Sequence, residues 1–421
     1  MKLYRFLAAL AAGVLIITAG VYATWAAPST KDLADWPAWR GAQRTGVSTE
    51  QGLLRDWPEG GPKLAWKIEG VGVGFSTPSV AAGRLFVMGN RDGQEFVFAL
   101  AASDGKQLWA TPLGPVKHEG AGYPGPRSTP TVDGDRVFVL GIGGDLVCMN
   151  TKDGEVVWRL NVVQEFGGAI PNWGYSESVL VDGPWVLCTP GGDKGTIVAL
   201  DKKDGKPVWQ AKVGDGAGYS SIIKATIDGV KQYVQFTAKG VIGLDAKTGA
   251  FLWRYDAPAN GTANISTPVA FDNKVFAASG YGTGGGLVKI DHSGKEFAAN
   301  EVYFTKQMKN HHGGLVVIDD VLYGSDDPGI LQCLDLSNGK PKWSDRSCGK
   351  AALVCVDGLL YCRSEAGLVS LVEASPDGFR LHGRFEQPDR SEAPSWPHPV
   401  VAEGRLYLRD QDKLLAYDLR R

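Results

Sequence analysis

The chain has 421 residues, of which 43% are hydrophobic and 21% are charged, and its formal net charge at pH 7 is −2. This nearly neutral balance, without a basic run, argues against nucleic acid as a partner, because phosphates demand clustered cations. The 56 glycines and 13 tryptophans favour many short strands joined by tight turns.

The N-terminus has the features of an export signal. Lys2 and Arg5 precede a stretch that is uncharged as far as Lys31 and apolar for most of its length. A charged start followed by an apolar run predicts a secretory signal peptide over residues 1–26. An uncleaved membrane anchor is the alternative, because about 25 uncharged residues can span a bilayer. Both interpretations predict that the body of the protein is exported.

Beyond this region one short motif recurs, in which a Gly stands four residues before a Trp. It is seen in "LAASDGKQLW", "MNTKDGEVVW", "LDKKDGKPVW", "LDAKTGAFLW" and "LDLSNGKPKW". Neighbouring tryptophans lie 43 to 51 residues apart, and a gap of 90 residues indicates one unit whose Trp is replaced, by Phe297 or Ala298. A degenerate unit ends at Phe385. The tryptophans predicted to dock one unit on the next are Trp66, Trp109, Trp158, Trp209, Trp253 and Trp343.

Each unit of about 45 residues contains four strand-like segments, which is typical of a blade of a β-propeller. The last unit has only three such segments, whereas the segment "PKLAWK" at residues 62–67 has no partners before it. Pairing these two ends completes an eighth blade and removes two exposed strand edges. We therefore predict an all-β, eight-bladed propeller over residues 62–421, with four antiparallel strands per blade. Residues 27–61 form a lead-in segment.

The six cysteines show no CxxC motif and no adjacent pair. Most of them interrupt apolar, strand-like runs, so they are predicted to be buried free thiols. The turn at Asp357 and Gly358 predicts that Cys355 lies opposite Leu360 and that Leu353 lies opposite Cys362.

Most units begin their first strand with Ser/Thr-Pro, so residues that depart from this pattern stand out as candidates for a site. The loop before the first strand and the loop between the second and third strands lie at the same mouth of the central channel. Mixed charges and aromatic rings at a concave mouth suggest ligand binding, although polar residues there can simply pair with neighbouring loops. No catalytic residue and no set of metal ligands is predicted. The candidates are Arg91, Tyr123, Arg127, Trp173, Glu177, Tyr219, His311, His312, Asp326, Arg363, Trp396, His398 and Arg409.

The repeated motif, as in "ALDKKDGKPVW", resembles the tryptophan-docking motif of pyrroloquinoline-quinone-type (PQQ-like) propeller repeats. The segment "WPAWRGAQRTGVS" resembles the lead-in of BamB-like bacterial proteins of this size. The resemblance extends over nearly the whole chain after the signal region and implies the propeller fold. It leaves function open, because the family includes quinoprotein alcohol dehydrogenases and non-catalytic scaffolds. The chain lacks the adjacent cysteines of the first group and, before Cys148, the lipid-bearing cysteine of the second.

Two functions follow from this resemblance. The first is a monomeric, non-catalytic scaffold of the periplasm or cell envelope, which needs no cofactor and engages a protein or an extended ligand through its top face. The alternative is a small quinoprotein-like oxidoreductase that binds PQQ and Ca²⁺ at the channel mouth. Under this alternative Arg127 or Arg363 faces the carboxylates of the quinone. Trp173 or Trp396 stacks on the quinone ring. Glu177 or Asp326 helps to bind the calcium ion or serves as the catalytic base.

Overall fold

A computed structural model describes residues 35–421. The predicted signal peptide, with its cleavage or anchoring, lies outside the described residues. The strands form eight sheets, each with four antiparallel strands, and one of these sheets carries a short additional parallel strand, Val47–Ser48. The predicted eight-bladed β-propeller is therefore confirmed.

Blades 1 to 4 follow one another along the chain, and each runs from its inner strand to its outer strand. Blade 1 comprises Ser79–Ala81, Arg84–Arg91, Gln94–Ala101 and Gln107–Pro115. Blade 2 comprises Thr131–Asp133, Arg136–Leu140, Asp145–Asn150 and Val156–Asn161. Blade 3 comprises Leu180–Asp182, Trp185–Cys188, Ile197–Asp201 and Pro207–Ala211. Blade 4 comprises Ile223–Ile227, Val230–Phe236, Val241–Asp245 and Phe251–Tyr255.

Blades 5 to 8 continue in the same order. Blade 5 comprises Val269–Phe271, Lys274–Ser279, Gly284–Ser293 and Glu296–Thr305. Blade 6 comprises Val316–Ile318, Val321–Asp326, Ile330–Asp335 and Pro341–Asp345. Blade 7 comprises Ala351–Val356, Leu359–Ser364, Leu368–Glu373 and Leu381–Glu386. Blade 8 comprises Val400–Ala402, Arg405–Asp410, Lys413–Asp418 and the early strand Leu64–Glu69.

The outer strand of blade 8 comes from the start of the propeller. Leu64–Glu69 pairs antiparallel with Lys413–Asp418, and Trp66 lies opposite Ala416. Helical structure is confined, within the described residues, to the α-helix Val162–Phe166 and the 3-10 turn Gly120–Gly122.

The six cysteines are buried and form no disulfide, as the sequence predicts. The register in blade 7 is also the predicted one, with Leu353 opposite Cys362 and Cys355 opposite Leu360. Residues directly opposite each other in an antiparallel pair are the nearest cross-strand neighbours. Cys355 and Cys362 belong to different cross-strand pairs, two residues apart along the strand, so they do not lie opposite each other.

The repeated Gly and Trp join neighbouring blades to each other. Trp109 of blade 1 donates a hydrogen bond from Nε1 to the carbonyl oxygen of Thr151 in blade 2, at 3.0 Å. A Cβ atom added to Gly154, in the turn of blade 2, would lie 2.6 Å from the Trp109 ring. The same arrangement links Trp158 to Gly205. The Gly thus serves two purposes, because it adopts a positive φ in its turn and leaves room for the preceding blade's tryptophan.

Blade 5 departs from the sequence prediction, because neither Phe297 nor Ala298 takes the docking position. Tyr303 occupies it and donates from its hydroxyl to the carbonyl oxygen of Leu336 in blade 6, at 3.1 Å. Gly339 of blade 6 lies against its ring. The third and fourth strands of blade 5 have ten residues each, so the turn is farther from the docking position than in other blades.

We expect Gly249→Ala to lower the free energy of unfolding by about 3 kcal/mol, through a clash added to backbone strain. Gly249 has φ of 72°, and a Cβ atom there would lie 2.3 Å from the Trp209 ring. Gly229→Ala is the matched control, since Gly229 has φ of 76° and open space around it, and it should cost about 1 kcal/mol. Chemical denaturation measures both. Equal losses would show that the close approach to Trp209 carries no energy.

Residues 36–54 of the lead-in segment lie within the channel and reach every blade. Arg44 donates to the carbonyl oxygens of Ser178 and Ile222 at 3.0 and 2.9 Å, and Arg40 donates to that of Leu315. The segment's partners in blades 1 to 8 are, in order, Val80, Val132, Ser178, Ile222, Thr267, Leu315, Cys355 and Leu419. Since most of these residues belong to inner strands or immediately precede them, the lead-in segment forms a plug, residues 36–54, across the channel.

Candidate functional site

A cavity of about 290 Å³ opens on the face where the inner strands begin. Its walls come from the loops that precede the inner strands and from the loop that carries Tyr281 in blade 5, and Trp39 of the plug also contributes. Aromatic and imidazole rings dominate the lining. The lining residues are Trp39, Phe75, Thr77, Tyr123, Arg127, Trp173, Ser176, Tyr219, Ser221, Ala263, Ile265, Tyr281, His311, His312, Trp396 and His398.

The structure brings eight of the thirteen sequence candidates together in this cavity. All eight precede an inner strand, where the sequence departs from the Ser/Thr-Pro pattern. They are Tyr123, Arg127, Trp173, Tyr219, His311, His312, Trp396 and His398. Whether they bind a ligand stays a prediction.

Two of the remaining candidates, Arg363 and Arg409, are fully buried between blades rather than directed into the cavity. Arg363 donates to the carbonyl oxygen of Arg409 at 2.5 Å and to that of Pro397 at 3.3 Å. Arg409 donates to the carbonyl oxygens of Gly72 and Ser76, at 2.8 and 3.2 Å. Their guanidinium groups therefore join blades 7, 8 and 1 through these carbonyl oxygens.

The other three candidates also lie outside the cavity lining. Glu177 is buried and accepts hydrogen bonds from the backbone N–H of Thr189 at 2.6 Å and from its hydroxyl at 3.1 Å. Asp326 accepts from the backbone N–H of Lys309 at 2.6 Å. Arg91 lies over the ring of Phe96, 4.8 Å from its centroid.

Sequence reasoning missed several lining residues, of which Trp39 and Tyr281 are the largest. Trp39 lies in the lead-in segment, which was not considered as part of the mouth. Tyr281 lies in the Gly-rich loop "GYGTGG" between the second and third strands of blade 5. The sequence analysis already assigned the loop between the second and third strands to the mouth of the channel. The single aromatic residue of this loop in blade 5 could therefore have identified Tyr281 as a candidate.

The rings of the lining form three groups, one of which is the pair of Trp39 and His398 with centroids 4.4 Å apart. Trp396 is the centre of the first group, with ring centroids 4.8 Å from Phe75, 4.7 Å from Tyr123 and 5.4 Å from His312. Trp173 and Tyr219 form the second group, with centroids 5.7 Å apart. Tilted and edge-on ring pairs at such distances stabilise each other beyond simple burial, so the walls are held in place before any ligand binds.

A charged network supports the first wall at its rim. Lys350 Nζ lies 3.0 Å from Asp327 Oδ1 and 2.5 Å from His311 Nδ1. Glu365 Oε1 accepts a hydrogen bond from Trp396 Nε1 at 2.7 Å and lies 2.8 Å from His312 Nε2. Glu365 therefore orients the indole of Trp396 by a hydrogen bond and lies beside the imidazole of His312.

Burial governs the protonation of this network. It lowers the pKa of His311 to about 4 and, against the opposing effect of Glu365, also lowers the pKa of His312. Burial alone would raise the pKa of Glu365, but hydrogen bonds from His312 and Trp396 and the charge of Lys350 outweigh it and lower that pKa to about 2. At neutral pH both imidazoles are thus neutral and Glu365 is ionised.

Glu177 offers a test of protonation in the blade interior. Burial raises its pKa from 4.5 to about 8, so the folded state keeps a proton that the unfolded state releases above pH 4.5. The stability contributed by this carboxyl therefore falls as the pH rises from 4.5 through 8. Glu177→Gln removes the ionisation, and we expect the stability of the variant relative to wild type to rise by about 4 kcal/mol between pH 5 and pH 9. Parallel unfolding curves at all pH values would contradict this.

The residues present do not fit a calcium-held quinone. Of the six residues assigned to it, Arg127, Trp173 and Trp396 line the cavity, whereas Arg363, Glu177 and Asp326 do not. The described lining contains no carboxylate, although Ca²⁺ requires oxygen ligands. The Arg127 guanidinium already donates to the carbonyl oxygens of Gly125 and Tyr123, at 2.9 and 2.6 Å.

Among residues 35–421, no group of three or more His, Cys, Asp and Glu side chains is arranged to hold a metal ion. Over the same residues, no helix has both the length and the apolar character needed to cross a membrane.

Solved structures show the same fold. BamB from Moraxella catarrhalis has a TM-score of 0.60 and 16% identity, with 85% of this chain and 97% of that chain covered. The quinohemoprotein alcohol dehydrogenase ADHIIG from Pseudomonas putida HK5 has a TM-score of 0.64 and 14% identity, with 92% and 81% covered. At such low identity these likenesses show the fold alone.

Sequence comparison identifies the family. The outer membrane protein assembly factor BamB of Burkholderia pseudomallei is 24% identical over 288 residues, which are 65% of this chain and 67% of the relative. The family described as "Outer membrane protein assembly factor BamB" matches residues 93–345, more than half of the chain. The chain therefore belongs to this family of PQQ-like β-propeller proteins.

Proposed function

We propose that this protein is an exported, non-catalytic binding scaffold of the bacterial cell envelope, which holds a protein or an extended ligand on its top face. The observation that carries the proposal is the aromatic cavity, which opens at the face where the inner strands begin and has the plug beneath it. A rigid ring of blades with one concave aromatic patch is suited to binding a protruding group of a partner.

The rim of the cavity resembles the centre of a protein interface. Tyr123 and Tyr281 line it and remain 39% and 46% exposed, and Trp396 lies behind Tyr123. Tyr and Trp are the residues that most often dominate binding energy, because they bury a large area and lose little conformational freedom.

The polar groups of the lining support binding rather than catalysis. The hydroxyl of Ser221 accepts a hydrogen bond from the backbone N–H of Ser178 at 3.0 Å, and His398 Nε2 contacts the carbonyl oxygen of His312 at 3.0 Å. His312 is engaged with Glu365, as described above. In the described lining no serine is paired with a histidine as a nucleophile with its base.

The named relatives support an envelope partner. BamB of Burkholderia pseudomallei is an outer membrane protein assembly factor, and the signal peptide predicted from the sequence is consistent with export of this chain to the envelope. A protein that takes part in outer membrane assembly is the partner that the similarity favours for this chain.

Photo-cross-linking in intact cells tests the proposal. A benzophenone amino acid replaces Tyr281 at the rim, and in the control it replaces Phe251, which is 50% exposed on the outer strand of blade 4. We expect a discrete adduct from position 281 that disappears when Trp396→Ala is added. Equal adducts from both positions, or an adduct that persists in the Trp396 variant, would contradict a binding site on the top face.

A further inference from the structure

Two of the buried cysteines contact each other where blade 6 leads into blade 7. Cys348 precedes the inner strand of blade 7, and Cys362 belongs to the second strand of that blade. Both are 1% exposed and belong to the core between blades 6 and 7. Cys362 lies directly opposite Ser370 on the third strand. The Cys348 sulfur accepts hydrogen bonds from the thiol of Cys362 and the hydroxyl of Ser370, so the two sulfur atoms are in direct contact.

The path of the backbone explains this contact. Ala351 lies opposite Ser364 at the start of the inner strand of blade 7. Just before it, Gly349 turns the chain with φ of 65°, and a Cβ atom added there would lie 3.4 Å from Ser364 Cβ. Ser364 and Cys362 lie on the same face of their strand, because side chains alternate along a strand. The turn therefore lays Cys348 over the face of blade 7 that carries Cys362.

The two thiols differ in acidity in a way that suits disulfide exchange. The hydrogen bond from Cys362 lowers the pKa of Cys348, and the same contact, together with burial, raises the pKa of Cys362 well above its usual value. In the other four cysteines burial raises the pKa. Because the thiolate is the nucleophile in disulfide exchange, Cys348 is the most reactive of the six.

Access to Cys348 requires only a local movement. It is the only buried residue between positions 341 and 350, and its neighbours Arg346 and Ser347 are exposed. Opening a short surface segment costs less free energy than unfolding a blade. A disulfide reagent can therefore reach Cys348 without loss of the propeller.

We infer that Cys348 and Cys362 form an oxidation site, at which a disulfide compound of the envelope converts the two thiols into one disulfide. The Cys348 thiolate attacks one sulfur of that compound and releases the other as a thiolate, which gives a mixed disulfide. Cys362 then loses its proton, attacks the Cys348 sulfur and releases the second thiolate. The cysteine pair is oxidised by two electrons, and the compound is reduced to two thiols.

The inference concerns the oxidised form of a pair that the structure holds as thiols. It rests on the export in the proposed function, because disulfides form and persist in oxidising compartments.

The location of the pair connects it to the rim of the cavity. Lys350, two residues after Cys348, lies 3.0 Å from Asp327 Oδ1 and 2.5 Å from His311 Nδ1. The disulfide closes a loop over residues 348–362 and so limits the movement of the segment that carries Lys350. A closed loop also lowers the entropy of the unfolded chain, so the oxidised protein is the more stable form.

Counting thiols by mass spectrometry tests the inference. The full exported chain is reduced, freed of reductant, incubated with oxidised glutathione, alkylated in denaturant and digested. Of the six cysteines, we expect four to be alkylated and two to be recovered as the peptide pair that joins Cys348 to Cys362. Reduction of the oxidised protein should lower its melting temperature by about 3–5 °C.

Two serine variants provide matched controls. Cys348→Ser leaves Cys362 without a partner, so the five cysteines that remain of the six should all be alkylated and the melting temperature should not respond to reductant. Cys148→Ser removes a thiol that is buried in blade 2, and it should preserve both the joined peptides and the response to reductant. Comparing the oxidised and reduced forms of one variant separates the effect of the bond from that of the substitution.

The remaining outcomes overturn either this inference or the proposed function. Alkylation of all six cysteines, or a peptide pair that joins Cys362 to Cys355, would refute the assigned disulfide, while a Trp396-dependent adduct at position 281 would leave the scaffold function standing. For a bond that forms in vitro and is absent from acid-quenched cells, cell fractionation decides. A chain found in the cytoplasm refutes the export, and a chain found in the envelope refutes the oxidation.

Discussion

Replacing Arg44 by alanine is expected to lower the free energy of unfolding by about 3–5 kcal/mol. Arg44 is 4% exposed and donates to the carbonyl oxygens of Ser178, Val179 and Ile222. Its removal leaves the carbonyl oxygens of Ser178 and Ile222 without this donor, leaves that of Val179 with only the hydroxyl of Thr131, and creates an empty space where the plug meets blades 3 and 4. Arg44→Lys should recover only part of this loss, because a single ammonium lacks the planar fork of the guanidinium.

Chemical denaturation with a matched variant measures this effect. Arg55→Ala removes an arginine from just beyond the plug whose side chain is 43% exposed and lies 3.5 Å from Asp357. A surface pair of this kind contributes at most about 1 kcal/mol. If Arg44→Ala costs no more than Arg55→Ala, the plug is not a structural part of the propeller.

Trp253→Ala is expected to cost about 3–5 kcal/mol as well, the usual range for a buried tryptophan. Trp253 is 2% exposed and donates from Nε1 to Gln232 Oε1 at 2.7 Å. The ring packs over Gly243 and belongs to the core shared by blades 4 and 5. The truncation would leave a cavity between the two blades and remove the hydrogen bond to Gln232.

Phe251 provides the control for this truncation, because it lies two residues earlier on the same outer strand and is 50% exposed. Phe251→Ala should change the free energy of unfolding by about 0.5 kcal/mol or less. Thermal melts and denaturant titrations of both variants suffice. Comparable losses would mean that the outer strand as a whole, rather than the buried tryptophan, carries the stability.

The recurrence of Gly and Trp, together with the unpaired strand segments at the two ends of the propeller, was enough to predict the fold and the number of blades. A side chain as large as Trp109 needs a glycine opposite it, so both residues recur with the period of the blade. Where blade 5 lengthened its outer strands, the same reasoning selected Phe297 or Ala298 instead of Tyr303. The repeat period predicts the position of the turn in each blade. The length of the strand after the turn decides which side chain contacts the next blade.

The site was predictable in part for a similar reason. His311 and His398 depart from the Ser/Thr-Pro pattern at equivalent positions, and equivalent positions of a propeller converge on one mouth. The same logic applied to Arg127 and Arg363, yet one lines the cavity and the other is buried between blades. A sequence position specifies the loop on which a side chain starts, whereas the packing of neighbouring loops decides where a long, flexible side chain ends.

The sequence by itself determined the repeat, the strand order, the register around Asp357 and Gly358, and the segments that surround the mouth. These are local or periodic properties, because they depend on turn chemistry and on contacts between adjacent strands. Only the tertiary structure decided that the lead-in segment plugs the channel and that Tyr281 joins the mouth. These depend on groups far apart in the chain, whose hydrogen bonds and burial exist only once all eight blades are assembled.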